Sequence, residues 1–349
     1  MITTAPLIDP WKILAAWVRQ PPAQAAAMGW RRAGDQSLVL ARSCWSLALL
    51  AGMLGPRPKI ALPSWFCNAS LLPLRAMGAD LVFVPVDENG WADWDSLSQA
   101  DMVVAVHTFG RPVPLESACA ACARTGAILV EDAAHALAPA PGIGETGDYV
   151  LYSPHKVLAQ PDGAVIIARN RPLPSGGGQS SDGVTRWLGR RLLQWALPDR
   201  SRPRIPQGGQ NTFLDDPAAA AMPRLCAPSA LSLRLMAAAD LTAEAARRRR
   251  NAAALRHAVD GLAGWHPLFA DDGPAPYRLA LRCDDTDIAM ARYAALRQAH
   301  LPVESWPDLP PEVDDSNAIG LRRSVILLPV HGALPPGYEQ LYAKALVHA

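Results

Sequence analysis

Leu129-Val130-Glu131-Asp132-Ala133-Ala134-His135-Ala136, followed by Gly147-Asp148-Tyr149-Val150-Leu151-Tyr152-Ser153-Pro154-His155-Lys156, is the stretch on which the fold turns. Each half contains a short apolar run that reads as a buried strand, the first ending in an aspartate and the second in Ser-Pro-His-Lys. Lysine is scarce in this chain, 4 residues against 29 arginines, so a lysine at the end of a buried strand stands out. An amine and a carboxylate held at neighbouring strand ends are what pyridoxal phosphate requires. The amine condenses with the cofactor aldehyde, and the acid keeps the ring nitrogen protonated so that the ring can draw electrons from a substrate carbon. On this reading Lys156 is the catalytic residue and Asp132 its counterpart.

Outward from this stretch, strand and helix patterns alternate over residues 36–170. Helices are expected over 43–53, 69–77 and 115–125, the last two stopped by Gly78 and Gly126. Strands are expected over 59–62, 81–86, 102–106, 128–130, 149–152 and 164–168. Repeated strand-helix-strand units predict an α/β fold with a mostly parallel, two-sided sheet. Ligands collect at the carboxyl ends of such strands, where His107, Asp132, Ser153 and Lys156 all fall. Residues 171–222 are rich in Gly, Pro, Ser and Arg and read as an irregular excursion with one amphipathic helix over 184–197. A long Ala- and Arg-rich helical stretch is expected over 228–262. A strand over 277–282, a helix over 286–298, a strand over 325–328 and a closing helix over 338–348 then make a small α+β domain. The expected division is a large domain over 1–225 and a connecting helix with the small domain over 226–349.

The composition narrows the function. A formal net charge of +1 gives no case for nucleic acid or a membrane surface. No apolar run approaches the roughly 20 residues that span a bilayer, and the first ten residues do not read as a signal peptide. Arg247-Arg248-Arg249-Arg250 reads as a solvated helix face. Six scattered cysteines, with Cys119 and Cys122 on one helix and no ligand-spaced histidines, predict neither a metal site nor disulfides and fit a reducing cytoplasm.

Several blocks resemble, in order and spacing, the DegT/DnrJ/StrS family of sugar aminotransferases, which have the fold type I architecture of aspartate aminotransferase. They are Lys59-Ile60-Ala61-Leu62-Pro63-Ser64-Trp65, the run from Gly78 to Asp87, Val106-His107-Thr108-Phe109-Gly110-Arg111-Pro112, Glu131-Asp132-Ala133-Ala134-His135-Ala136, and Gly163-Ala164-Val165 after Lys156. The resemblance implies a seven-stranded-type sheet in the large domain and pyridoxal 5'-phosphate as cofactor. It implies Lys156 on the cofactor aldehyde, Asp132 on the ring nitrogen, His135 beside the ring and Ser153 at the phosphate or orienting the lysine. It also implies a homodimer.

The chain departs from that pattern in four places. Ser153-Pro154-His155-Lys156 is two residues shorter than the common serine-to-lysine spacing and is similar to a compact branch in which Pro-Asp-Gly follows, here Pro161-Asp162-Gly163. The family's Ser-Gly-Thr before its first helix is replaced around Arg42 and Ser43. These would stand at a helix N-terminus, where free N–H groups, the dipole and an arginine fork favour a phosphate. Cys67 stands where the family places an aromatic residue, which leaves Trp65 or Phe66 to stack on the ring. No asparagine occurs near Arg224, so Arg224 is the candidate for the phosphate contact that a partner subunit's asparagine makes in many members. His107, His155, Trp306 and His331 are candidate substrate contacts.

The function this implies is transfer of an amino group from an amino acid, glutamate or a similar donor, to a keto group on a nucleotide-linked sugar, in a cytoplasmic enzyme of nucleotide-sugar or polysaccharide biosynthesis. Two alternatives stay open: a pyridoxal phosphate-dependent sugar dehydratase, with Lys156 or His155 as base, and a non-catalytic family member acting in regulation or assembly.

Overall fold

Alternating apolar positions build two sheets, and the chain order of the strands decides where the chemistry lies. The computed structural model describes residues 2–19, 23–176, 183–196, 224–306 and 308–348. Strands β1 (Gln36–Leu40), β2 (Lys59–Pro63), β3 (Asp80–Val84), β4 (Met102–Val106), β5 (Ile128–Ala133), β6 (Tyr149–Tyr152) and β7 (Ala164–Ala168) form one sheet in the order β1-β7-β6-β5-β4-β2-β3. The pairs from β3 through β2, β4 and β5 to β6 are parallel, whereas β7 runs antiparallel to both β6 and β1. The first half of the chain contributes helices α1 (Pro10–Arg19), α2 (Cys44–Gly52), α3 (Leu72–Ala76), α4 (Glu116–Thr125), α5 (Pro154–Val157) and α6 (Val184–Ala196). β1, an edge strand, and α1 lie outside the expected elements.

Side chains alternate between the two faces of the sheet, as strand geometry requires. Leu40, Ile60, Leu62, Val104, Val130, Leu151 and Ile166 face α2, whereas Val103, Ala105 and Leu129 face α4. With Ala133, Val150, Tyr152, Val165 and Ile167 packed under Trp30, this makes the three-layer arrangement expected of a two-sided sheet.

The expected single helix over 228–262 is two: α7 (Ala230–Ala237) and α8 (Leu241–Ala258). The break has a local cause, because the Asp240 carboxylate accepts the Ala243 N–H and starts α8 afresh. α7 packs against the large sheet through Met236 and Leu233, and α8 leads on to the second sheet. The second sheet, in the order β10-β11-β9-β8, contains β8 (Trp265–Pro267), β9 (Arg278–Cys283), β10 (Glu304–Ser305) and β11 (Val325–Pro329). Helices α9 (Thr286–Gln298), α10 (Ser316–Ser324) and α11 (Tyr338–His348) complete the chain. α8, α9 and α11 cover one face of this sheet, and its other face meets the large sheet through Trp65, Phe109, Leu268, Trp306 and Leu327. The Ser64 hydroxyl and the Val86 N–H both donate to the Asp315 carboxylate, and Arg75 pairs with Glu312, which straps the two sheets together. Most of the 171–222 excursion lies outside the described residues. No helix among those described is long and apolar enough to cross a membrane.

Candidate active site

The parallel run β4-β5-β6 brings the two ends of the diagnostic stretch side by side. Asp132 pairs in register with Leu151, one residue short of the β6 end, and the chain then passes through Ser153 into α5. The loop between β5 and β6 is folded around Glu131, the residue before the key acid. Its buried carboxylate accepts the N–H groups of Gly144 at 2.5 Å, Thr146 at 2.8 Å and Gly147 at 2.6 Å, and its Oε2 bonds His107 Nε2 at 2.9 Å. These bonds outweigh burial and hold the Glu131 carboxyl down at about 2. Removing one partner of such a buried pair costs about 3–5 kcal/mol. Glu131→Gln is therefore expected to lower unfolding stability by that order, measured by urea titration, although Glu131 does not face the site.

Asp132 is half-buried near the end of β5. Its Oδ1 accepts the Ala134 N–H at 3.0 Å, and among the described residues no donor meets Oδ2. Burial pushes the carboxyl up, while the charge of Lys156 pulls it back. His135 is fixed on both flanks. Its Nδ1 accepts the Phe109 N–H at 3.3 Å, which leaves the proton on Nε2, and its ring stacks on Tyr277 at 4.4 Å with the planes 4° apart. The Arg278 guanidinium lies over Tyr277 at 4.0 Å. Phe109 adopts φ 57°, a left-handed conformation that a phenylalanine rarely takes, and this turns its N–H onto His135. Burial, then the charges of Lys156 and Arg278, keep His135 neutral.

Lys156 stands on α5, where its N–H bonds Ser153 O at 2.9 Å. Its charge acts on Asp132, His135, His155 and Cys44. On the far side the Ser153 hydroxyl donates to Ser43 Oγ at 3.0 Å and sits 3.1 Å from His155 Nδ1, which is also 2.9 Å from Gly163 O. Ser43 precedes α2, whose N-terminal dipole favours an anion, although the Trp45 and Ser46 N–H groups already bond Arg42 O at 3.4 Å and Ser43 O at 2.9 Å. Arg42 is exposed, and among the described residues no carboxylate pairs with it. The Ala41 N–H to Cys226 O bond, 3.0 Å, and the Gly163 N–H to Ala41 O bond, 2.9 Å, tie this loop to the start of β7 and to the segment bearing Arg224. Gly163 has φ 130°, and a Cβ there would stand 2.5 Å from Gln160 Nε2, so the register after Lys156 depends on glycine.

The structure brings Lys156, Asp132, His135, Ser153, Ser43 and Arg42 together, with His155 and the exposed Arg224 beside them. It assigns the other sequence candidates elsewhere. Trp65 is in the interface core, 4.6 Å from Trp306 and edge-on to Phe109. Phe66 is under the large sheet with Leu62 and Leu71. Neither stands free to stack on a ring, because beyond the end of β2 the alternation of faces no longer dictates direction. Trp306 packs on Trp65 and edge-on to His135 and forms a wall of the core. His107 spends Nε2 on Glu131 and Nδ1 on the Val113 N–H. His331 spends Nε2 on Thr3 O at 2.8 Å and Nδ1 on the Ala333 N–H. Both are interior fasteners and not substrate contacts. Residues that the sequence reading missed are Phe109, Tyr277 and Arg278. The first two carry a signal only as aromatic residues at a turn and a strand start.

Residues 41–174 match the model of the DegT/DnrJ/EryC1/StrS aminotransferase family. The match covers less than half of the chain, and over that span the chain is similar to the family. A UDP-N-acetyl-3-dehydro-alpha-D-glucosamine 3-aminotransferase of Acidithiobacillus ferrooxidans is 28% identical over 139 residues, which are 36% of this chain and 38% of that enzyme. The chain thus matches little more than a third of that relative's length. Among solved structures, the aminotransferase TlmJ of Streptoalloteichus hindustanus superposes with TM-score 0.74 at 19% identity, covering 99% of this chain and 98% of that one. The putative sugar aminotransferase Spr1654 of Streptococcus pneumoniae, in its PLP form, gives TM-score 0.72 at 13% identity over 99% and 97%. The fold is that of these two structures, the fold type I architecture. Asp132, His135, Ser153 and Lys156 all lie within the matched span, as do Arg42 and Ser43.

The buried histidines set an acid limit on the folded protein. Burial pushes His155 down to about 4 and His331 down to about 3, and holds His135 well below 6.5. As pH falls below 6.5 the unfolded chain takes up protons that the fold refuses, so stability is lost on the acid side. Three such groups give a slope of up to about 4 kcal/mol per pH unit near pH 5. Urea unfolding at pH 7 and pH 5 measures it, and His331→Gln is expected to remove about one proton's share, roughly 1.4 kcal/mol per pH unit.

Proposed function

We propose that this protein is a pyridoxal phosphate-dependent aminotransferase that moves an amino group from an amino-acid donor, glutamate or one like it, to a keto group on a nucleotide-linked sugar. The observation that carries the reading is the placement of Lys156 with Asp132, His135 and the Arg42–Ser43–Ser153 cradle. The residues present fit the cofactor: an acid with an uncommitted oxygen for a ring nitrogen, an amine for an aldehyde, and a cation with two hydroxyls at a helix N-terminus for a phosphate. Bound there, pyridoxal phosphate supplies the electron sink for cleaving a C–H bond and the carrier for the amino group. Asp132 holds a proton at the ring nitrogen. His135, neutral and a donor at Nε2, orients the ring from the side on which Tyr277 backs it. Lys156 would hold the cofactor through its amine and, as a free amine, would take and return a proton at the reacting carbon. Ser153 and Ser43, linked to each other, and Arg42 anchor the phosphate.

The nucleotide-sugar acceptor is drawn from the UDP-sugar aminotransferase relative. The purified protein is expected to show a visible absorbance band with pyridoxal phosphate, bleached by borohydride and shifted to the pyridoxamine form by glutamate. A protein that stays colourless with added cofactor would sink the reading. A coloured protein unmoved by every amino acid tried would favour the dehydratase. Keto-sugar nucleotides then screen for the acceptor.

A homodimer fits the same reading. Trp11, Leu14, Trp17 and Val18 of α1 and Leu193 and Trp195 of α6 expose apolar surface that a second copy would cover. Sedimentation of the protein against a Trp17→Glu, Trp195→Glu variant tests it, and a monomeric parent protein would refute it. A cytoplasmic location is proposed with it.

A further inference from the structure

One buried guanidinium joins the segment that carries Lys156 to the strand that backs His135. Of the four consecutive arginines in α8, expected on a solvated face, Arg248 is wholly enclosed. Its Nε donates to Glu244 Oε1 at 2.9 Å, its Nη2 to Val157 O at 2.6 Å, and its Nη1 to Pro276 O at 3.1 Å and Tyr277 O at 3.3 Å. Val157 directly follows Lys156. Tyr277 carries the ring stacked on His135, and its own N–H bonds Phe109 O at 2.8 Å.

Taking a guanidinium out of water is costly, and an apolar pair of similar volume is often as stable as a buried ion pair. Glu244 neutralises the charge, yet one carboxylate contact uses only one edge of the group. Three of the remaining four N–H groups are directed at three carbonyls, all in the two segments that flank the site. A planar fork can serve both directions at once, whereas an ammonium cannot. The need is local: α5 has only four residues, too few to hold its own geometry. Its last carbonyls are helix-end groups that need partners.

We propose that Arg248 is a positioning residue that sets Lys156 against the His135–Tyr277 stack by fixing the Val157 carbonyl and the Tyr277 backbone to one rigid group. This rests on the reading of Lys156 as the cofactor-binding lysine. The misplacement expected on its loss is a fraction of an ångström to an ångström at the lysine, enough to change reactivity strongly without unfolding the sheet.

The test compares Arg248→Lys and Arg248→Met with Arg256→Lys. Arg256 lies on the same helix and makes a similar fork onto Asp272 and Phe269 O, with no bond to the Lys156 segment. Pyridoxal phosphate is titrated into each full-length protein and followed by its visible band. The pH at which that band titrates is recorded, as is the rate at which borohydride fixes the cofactor to the Lys156 peptide, with melting temperature measured alongside. Both Arg248 variants are expected to bind about 10- to 100-fold more weakly, to fix the cofactor more slowly by a similar factor, and to shift the titration. Arg256→Lys is expected to lose stability with none of these changes. Should Arg248→Met not fold, Arg248→Lys, which keeps a cation opposite Glu244, carries the test. Unchanged affinity, fixation rate and titration in Arg248→Lys would overturn the inference while leaving the functional reading standing. A parent protein that binds no pyridoxal phosphate would overturn both.

Discussion

Lys156→Ala is expected to yield a folded protein that no longer retains pyridoxal phosphate after borohydride treatment and whose amino transfer from glutamate falls by at least about 10⁴-fold. Lys156 is half-buried on a four-residue helix whose fold comes from its backbone: the Lys156 N–H to Ser153 O and Leu158 N–H to Pro154 O bonds, and the Arg248 clamp on Val157. Truncating the side chain removes none of these, so melting temperature should change little while chemistry is lost. The neighbouring His155 is held through Nδ1 by Ser153 Oγ and Gly163 O, so only its Nε2 could act as a base in place of the amine. A variant that kept more than about 1% of the transfer rate would assign the proton transfer elsewhere.

Asp132→Asn is the second large effect. The Asn Oδ1 can keep the bond from Ala134 N–H, so the loop from Ala133 to Ala136 should stay in place. What is lost is the negative charge of the carboxylate. Removing one preorganised electrostatic contact from an enclosed site costs about 10²- to 10³-fold in rate, and here the ring would lose its protonated state and with it the electron sink. Binding should weaken less than turnover, because the phosphate cradle of Arg42, Ser43 and Ser153 is untouched. The same logic gives a pH dependence. Burial raises the Asp132 pKa in the free protein, so acid protonates this carboxyl sooner than an exposed one. Cofactor affinity should therefore fall as pH is lowered through its titration, and Asp132→Asn should flatten that fall. Equal turnover in the variant and the parent protein would remove Asp132 from the ring nitrogen.

Much of this site was legible in one dimension. Parallel strands place their carboxyl ends on a common edge, so chemistry at the ends of Ile128–Ala133 and Tyr149–Tyr152 had to converge once those runs were read as neighbouring strands. The spacing from Lys156 to Gly163 carried the register, and the fold shows why: only glycine takes φ 130° against Gln160. The histidines and tryptophans were not legible in this way. His107 and His331 stand near strand ends as Asp132 does, but their nitrogens are consumed by Glu131, Val113, Thr3 and Ala333, two of which, Glu131 and Thr3, lie on another element or far away in sequence. Trp65 and Trp306 are separated by most of the chain and meet only where the two sheets are strapped together.

The sequence by itself determined the α/β class, the order of the blocks and a lysine and an acid near the ends of neighbouring strands, because strand periodicity and scarce, chemically distinct residues are local signals. Only the tertiary structure decided which cations and imidazoles serve the site and which serve the fold. Arg248 shows the reason: within its helix it is one of four like residues, and its role follows from which carbonyls two distant segments, at Val157 and Tyr277, leave within reach of a buried guanidinium. Partners of that kind are set by packing across the chain, which no local pattern records.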